Sequence, residues 1–342
     1  MPVVATAAVP GPVRVAGSRA SACVAELPLD VRIGQTMLVI TRSPEPVRAS
    51  LRSGTVAGVL AAGNLTWARA AAFRKATAGT RHRAILAADE EGGLVQRYRS
   101  VIGRLPSAQW QARNLSPAQV RARYRAHGRE LRRWGVGMVL APVADVGHGP
   151  GITTRAYSGD PNVVARYAGA AAAGYRDAGL LPVLKHFPGH GRTSADSHTA
   201  TSWSPRLRTL RAVDLVPYRT LLRDGRVGVL VAHVQVPGYS GGPSSLSPKV
   251  VRGLLRSEYG HRGLVISDGL GMAGTGTTQG RAQVRFLRAG GDLGIVTAGA
   301  VPSVRAAVRA ALADGSLTKA RLNDVAGRVL RHKKLDPCRL VG

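Results

Sequence analysis

Eight short apolar stretches alternate with longer helix-patterned segments along this chain. They are Met37–Ile40, Val56–Leu60, Ala84–Ala88, Met138–Ala141, Leu181–Lys185, Val227–Val231, Leu264–Ser267 and Asp292–Val296. Helical residues fill the gaps, as in Ala68–Ala78, Pro117–Trp134, Pro161–Ala178, Leu207–Leu222, Pro248–Tyr259 and Ala282–Ala289, and Ser303–Ala313 and Lys319–Arg331 close the chain. Strictly alternating strands and helices mark a parallel α/β fold. Eight units, rather than five or six, favour a single (β/α)8 TIM-type barrel over a doubly wound sheet. No Gly-x-Gly-x-x-Gly follows the first strand, which argues against a dinucleotide fold. The hydrophobic share of 44% allows a sizeable core, but only 4% is aromatic, so that core rests on Ala, Val and Leu.

The densest polar motif is Lys185-His186-Phe187-Pro188-Gly189-His190-Gly191, followed at once by Asp196-Ser197-His198. The apolar stretch before it is a buried strand that delivers Lys185 and His186 at its carboxyl end. Pro188, Gly189 and Gly191 are turn formers and end the strand. His186 and His190 have a spacing that suits a metal on a helix, but Pro188 and Gly189 argue against a helix here. An inert surface loop is the bland alternative. Three His and one Lys in so short a run suit a polar catalytic site better.

This motif resembles the signature of glycoside hydrolase family 3, and the Asp-x-His pair resembles that of its bacterial β-N-acetylglucosaminidase (β-N-acetylhexosaminidase) branch. The resemblance runs from about Leu27 to Leu335 and implies a single catalytic barrel over residues 27–342.

Catalytic groups of such a barrel sit at the carboxyl ends of its strands. Those ends carry Asp89 after the third strand, Lys185 and His186 after the fifth, His233 after the sixth and Asp268 after the seventh. Each could instead cap the next helix, and for His233 that reading is the stronger one. Asp268, in Ser267-Asp268-Gly269-Leu270-Gly271-Met272, resembles the family's Ser-Asp-x-x-x-Met segment, whose Asp is the nucleophile. Gly269 and Gly271 depart from the branch's more common Asp-Asp-Leu-Ser-Met. Retaining hydrolysis also needs a proton donor, and no second acid stands out. His198 can serve as acid/base, with Asp196 fixing its tautomer and stabilising its imidazolium. The resemblance assigns the same roles. Gly189, Gly191 and Ser194 suggest a mobile loop that closes over the sugar.

Asp89-Glu90-Glu91-Gly92-Gly93-Leu94-Val95-Gln96-Arg97 resembles the family's Asp-x-Glu-Gly-Gly-x-Val-x-Arg, with Leu94 where the branch commonly has Arg. Asp89 would accept bonds from sugar hydroxyls, with Arg97 close by. Arg155, in Thr154-Arg155-Ala156-Tyr157-Ser158, matches another family segment and joins Lys185 and His186 in the sugar pocket. Met272 packs against the acetamido methyl or the sugar face, or is purely structural. The resemblance implies no metal and no organic cofactor.

The net charge is +29. The cations are spread along the whole length as Arg on helix faces, without a nucleic-acid-binding motif, so no specific nucleic-acid partner is expected. A global positive field attracts polyanions, including anionic cell-wall polymers. No apolar run approaches the ~18 residues of a transmembrane helix. Cys23 and Cys338 lie just outside the expected domain core, where the ends of a closed barrel meet. A disulfide there would staple the termini and imply an oxidising compartment, hence secretion or the cell envelope; two unrelated thiols would leave a cytoplasmic location open. Residues 1–26 read as a weakly ordered export or linker segment, and Ala20-Ser21-Ala22-Cys23 as a degenerate lipoprotein box lacking a proper apolar run.

The expected activity is therefore a retaining exo-β-N-acetylglucosaminidase acting on muropeptide or related amino sugars. A β-glucosidase, or a phosphorolytic variant, remains the enzymatic alternative. A cell-wall or polyanion-binding barrel without activity is the non-enzymatic one.

Overall fold

The computed structural model of the chain describes residues 19–195, 201–223 and 225–341. Eight parallel strands close into a barrel: β1 (Met37–Thr41), β2 (Gly58–Ala61), β3 (Ile85–Ala88), β4 (Met138–Val139), β5 (Leu181–Phe187), β6 (Gly228–Val231), β7 (Val265–Gly269) and β8 (Leu293–Thr297). Each pairs with its neighbours in sequence, and β8 returns to β1 with Met37 opposite Gly294. All eight expected strands are present. Every residue of β2, β3 and β6 is buried, because the barrel interior covers one face and the helices the other. β4 has two residues rather than the expected four, since Pro142 lacks an N–H to continue the ladder.

The helices surround the barrel. Pro117–Arg133 starts from a capping box in which Ser116 and Gln119 satisfy each other's backbone, with Pro117 at the first helical position. It packs closely on Pro161–Asp177, where a Cβ on Gly174 would lie 2.5 Å from the Arg121 carbonyl. The single helix expected over Leu207–Leu222 is two, Leu207–Ala212 and Val216–Leu221. Pro217 cannot donate to Val213, and its ring would crowd that carbonyl. The break leaves Asp214 with no side-chain exposure, facing Arg192.

The core is largely Val, Leu, Ile and Ala, as the composition requires. All three phenylalanines (Phe73, Phe187 and Phe286) are also fully buried.

The amino-terminal segment departs from expectation over residues 19–26. Arg19–Glu26 is a helix, and Val24 with Leu27 and Val31 packs on Ala326, Leu330 and Leu340. Burial of this apolar face holds the segment that composition alone marks as weakly ordered. Cys23 and Cys338 are joined in a disulfide with their Cα atoms 4.9 Å apart. Residues 1–18 lie outside the described residues. Among the described residues no helix is long and apolar enough to cross a membrane.

Candidate active site

A cavity of about 570 Å3 opens at the carboxyl ends of the strands, lined by Asp89, Arg97, Arg155, Lys185, His186, Asp268 and Met272. Seven of the residues singled out in the sequence thus meet in one place. Asp196 and His198 lie outside the described residues.

The strand β3 delivers three acids in a row with divided roles. Glu90 points away from the cavity, accepts from the Tyr98 backbone N–H at 2.7 Å and lies 2.9 Å from His127 Nε2. Asp89 and Glu91, two residues apart in extended chain, share the opposite side. Lys185 Nζ donates to Asp89 at 2.8 Å and to Glu91 at 2.6 Å. Arg155 binds Glu91 through two nitrogens, at 2.7 and 2.8 Å. Arg97 lies 3.6 Å from Asp89. Burial alone would raise the Glu91 pKa, but Lys185, Arg155 and His186 hold it well below the usual carboxylate range. Burial would likewise lower Lys185, and Asp89 and Glu91 raise it instead. Glu91 and Lys185 are therefore both ionised, and Glu91 is unsuited to donate a proton.

Strand β5 presents both Lys185 and His186 to the cavity because its pairing with β6 slips between Leu184 and Phe187. The Lys185–His186 peptide is cis. His186 Nδ1 lies 2.7 Å from Asp145 Oδ2, and its Nε2 lies 3.3 Å from Arg155 Nη2. A proton on Nδ1 and a lone pair on Nε2 satisfy both contacts. The second Asp145 oxygen accepts from the His190 backbone N–H at 2.6 Å. Burial would raise the Asp145 pKa, but His186 and His190 hold it low. His190 Nδ1 lies 2.9 Å from Thr193 Oγ1. Among the described residues no group of three or more His, Cys, Asp or Glu could hold a metal ion.

The segment that leads toward Asp196 and His198 is anchored on both sides. A Cβ on Gly191 would lie 2.2 Å from the Val146 carbonyl, so only glycine fits there. Arg192 grips Asp214 at 2.6 Å. The Ser194 N–H donates to the Trp203 carbonyl at 3.0 Å, and Ser202 Oγ to the Ala195 carbonyl at 2.7 Å.

Asp268 ends β7 on the cavity wall, and the Gly269 N–H donates to its Oδ1 at 2.8 Å. His233 spans from Ser245 Oγ, at 2.7 Å, to the Gly269 carbonyl, at 2.9 Å. It braces the turn that carries Asp268. Met272 lies on the cavity wall against Gly269. Leu94 is 68% exposed and is not among the cavity-lining residues.

Sequence reasoning missed Glu91 and Asp145. The two-residue spacing of Asp89 and Glu91 could have shown that both face one side. Asp145 sits in a loop without a local motif, and only the parallel pairing of β4 with β5 brings it to His186.

The acids and cations gather at the carboxyl end of a parallel eight-stranded barrel, where enzymes of this fold carry their active sites. The glycosyl hydrolase family 3 N terminal domain matches residues 28–332, and the chain belongs to that family and is a glycoside hydrolase. It is 45% identical over 263 residues to beta-hexosaminidase LpqI of Mycobacterium tuberculosis, covering 73% of this chain and 68% of that protein. It is 39% identical over 204 residues to a beta-hexosaminidase of Stenotrophomonas maltophilia, covering 57% and 61%. Among solved structures, a family 3 glycosyl hydrolase from Mycobacterium smegmatis superposes with a TM-score of 0.85 at 38% identity, over 90% of this chain and 98% of that one. A beta-N-acetylhexosaminidase from Beutenbergia cavernae gives 0.83 at 27% identity, over 91% and 100%.

Proposed function

We propose that this enzyme is a retaining exo-β-N-acetylglucosaminidase that removes terminal β-linked N-acetylglucosamine from muropeptides or related cell-wall sugars. The reading is carried by Asp268, which lines the same cavity as the ion-paired Asp89, Glu91, Lys185 and Arg155 at the end of β7. The relatives named beta-hexosaminidase support the amino-sugar substrate.

Asp268 attacks the anomeric carbon and forms a glycosyl-aspartate ester, while His198 protonates the leaving oxygen. His198 then takes a proton from water, which hydrolyses the ester and releases the sugar with its configuration retained. Asp196 orients the His198 ring and stabilises its cationic form. Asp89 and Lys185 bind sugar hydroxyls, with Arg97, Arg155 and His186 completing the pocket. The commitment of Glu91 to two cations supports an imidazole as the proton donor. Met272 contacts the sugar. The disulfide supports export to an oxidising compartment, where the charge of +29 draws the enzyme to anionic wall polymers.

Hydrolysis of p-nitrophenyl β-N-acetylglucosaminide beside the β-glucoside, in water and in phosphate, tests the reading. The acetamido substrate should be cleaved faster. Asp268→Ala should abolish turnover, and His198→Ala should slow it by about 10²–10⁴-fold. Faster cleavage of the glucoside would overturn the substrate assignment. Phosphate-dependent turnover would replace hydrolysis by phosphorolysis.

A further inference from the structure

A second cavity, of about 830 Å3, opens at the amino end of the barrel, opposite the active site. Its wall includes Ile85 and Leu181, which begin β3 and β5, and Val227 and Leu264, which immediately precede β6 and β7. Six arginines and two lysines line it, and no described acidic residue does. The active-site cavity, by contrast, sets Asp89, Glu91 and Asp268 against Arg97, Arg155 and Lys185.

Some of these cations have structural work. Arg83 donates to the Lys333 and Lys334 carbonyls, Arg132 to the Val136 carbonyl, and Arg328 pairs with Asp292 and Asp324. Buried Lys333 donates to Gln35 and to the His82 carbonyl. Arg262, Arg331 and Lys334 make no ion pair or side-chain hydrogen bond with a described residue, and all three are exposed.

Cations at helix carboxyl ends complement the helix dipole, which accounts for Arg132 and Arg331. It also covers Arg83, which donates to carbonyls at the end of helix Lys319–His332, and Lys334, which follows that helix, but not Arg262, which stands in a loop. Gly135, Gly137, Gly179 and Gly225 contribute no side chain to the wall, so the cavity stays open.

We propose that this cavity binds a compact solute carrying several phosphate groups, an oligophosphate. Its size is that of a small-molecule site. Guanidinium groups match phosphate oxygens two at a time, which favours phosphate over a single carboxylate. Cations gathered around one concavity hold a multiply charged anion better than orthophosphate. This site is independent of the hydrolase mechanism.

Inorganic tripolyphosphate is the probe, titrated calorimetrically into the whole protein at about 0.15 M salt, where exposed charges more than ~8 Å apart are largely screened. The variant R262A/R331A/K334A should lose at least about tenfold in affinity and keep its hydrolase activity. The control R113A/R166A/R208A removes the same charge from exposed arginines elsewhere and should leave affinity within about twofold. Equal losses in both variants would reduce the binding to diffuse surface attraction and overturn the proposal, as would undetectable binding to the wild type. Hydrogen exchange of the wild type needs no variant to fold. Tripolyphosphate should slow exchange in residues 225–228, 262–264 and 331–334. Protection at the active-site end instead, or none, would overturn it.

Discussion

Three carboxylates face the active-site cavity, and their neighbours separate their roles. Glu91 is held by Lys185 and Arg155 with 2% of its side chain exposed, and Asp89 shares Lys185. Removing the shared cation leaves Glu91 with Arg155 alone and Asp89 with only the more distant Arg97. Lys185→Met should cost about 3–5 kcal/mol of stability, the usual penalty for orphaning buried charge, measurable by chemical denaturation. It should also lower kcat/KM. The Glu91 pKa is lower folded than unfolded, so its stabilising contribution is full above the ordinary carboxylate pKa and is lost as pH falls toward the depressed folded value. Glu91→Gln should therefore show a flatter loss of melting temperature on acidification below about pH 4.5 than the wild type.

Lys333 carries the corresponding effect on the alkaline side. Burial pushes its pKa down to about 7. The unfolded chain holds this proton up to the usual lysine range, so stability gains from Lys333 as pH rises from about 7 toward 10. The melting temperature of Lys333→Met relative to wild type should be highest below pH 7 and decline across that window; a pH-independent difference would show that Lys333 stays charged. What the sequence made legible at this scale were the acids and cations that end strands: Asp89, Lys185, His186 and Asp268. It did not reveal Asp145, because the contact joins a loop residue to His186 on β5, 41 positions away.

At the scale of elements, the segment after β5 is built by exclusion as much as by contact. Gly191 runs against the Val146 carbonyl, and Arg192 reaches Asp214 through the break between two helices. Apolar patterning over Leu207–Leu222 reads as one helix, since periodicity is blind to the missing N–H of Pro217. The break has a purpose that only the folded chain displays, because it turns Asp214 toward Arg192. Gly191→Ala should force this segment away from the barrel and lower kcat/KM by about 10²-fold, with the far-ultraviolet circular dichroism unchanged. Wild-type activity in that variant would mean that the segment's path is not needed for turnover.

At the scale of the molecule, the barrel was legible because strand and helix periods alternate without interruption. The amino-terminal helix was not, since the small residues of Arg19–Glu26 bury only Val24, which packs with Ala326, Leu330 and Leu340 at the other end of the chain. The disulfide closes a loop of 315 residues over that contact. Cys23→Ser with Cys338→Ser should lower stability by about 2–5 kcal/mol through the freer unfolded chain, and denaturation under reducing conditions should bring the wild type to the same value. The positive charge is uneven in effect: balanced by acids at the catalytic end, and without a described lining acid at the other.

The central claim is that Asp268 becomes covalently bonded to the sugar. A slow amino-sugar substrate with a good leaving group, mixed with the enzyme and quenched in acid, allows the ester to be found by mass spectrometry of the digested protein. The account requires a glycosyl adduct on the peptide containing Asp268, absent from Asp268→Ala. An adduct on another residue would contradict it, as would turnover that persists in Asp268→Ala.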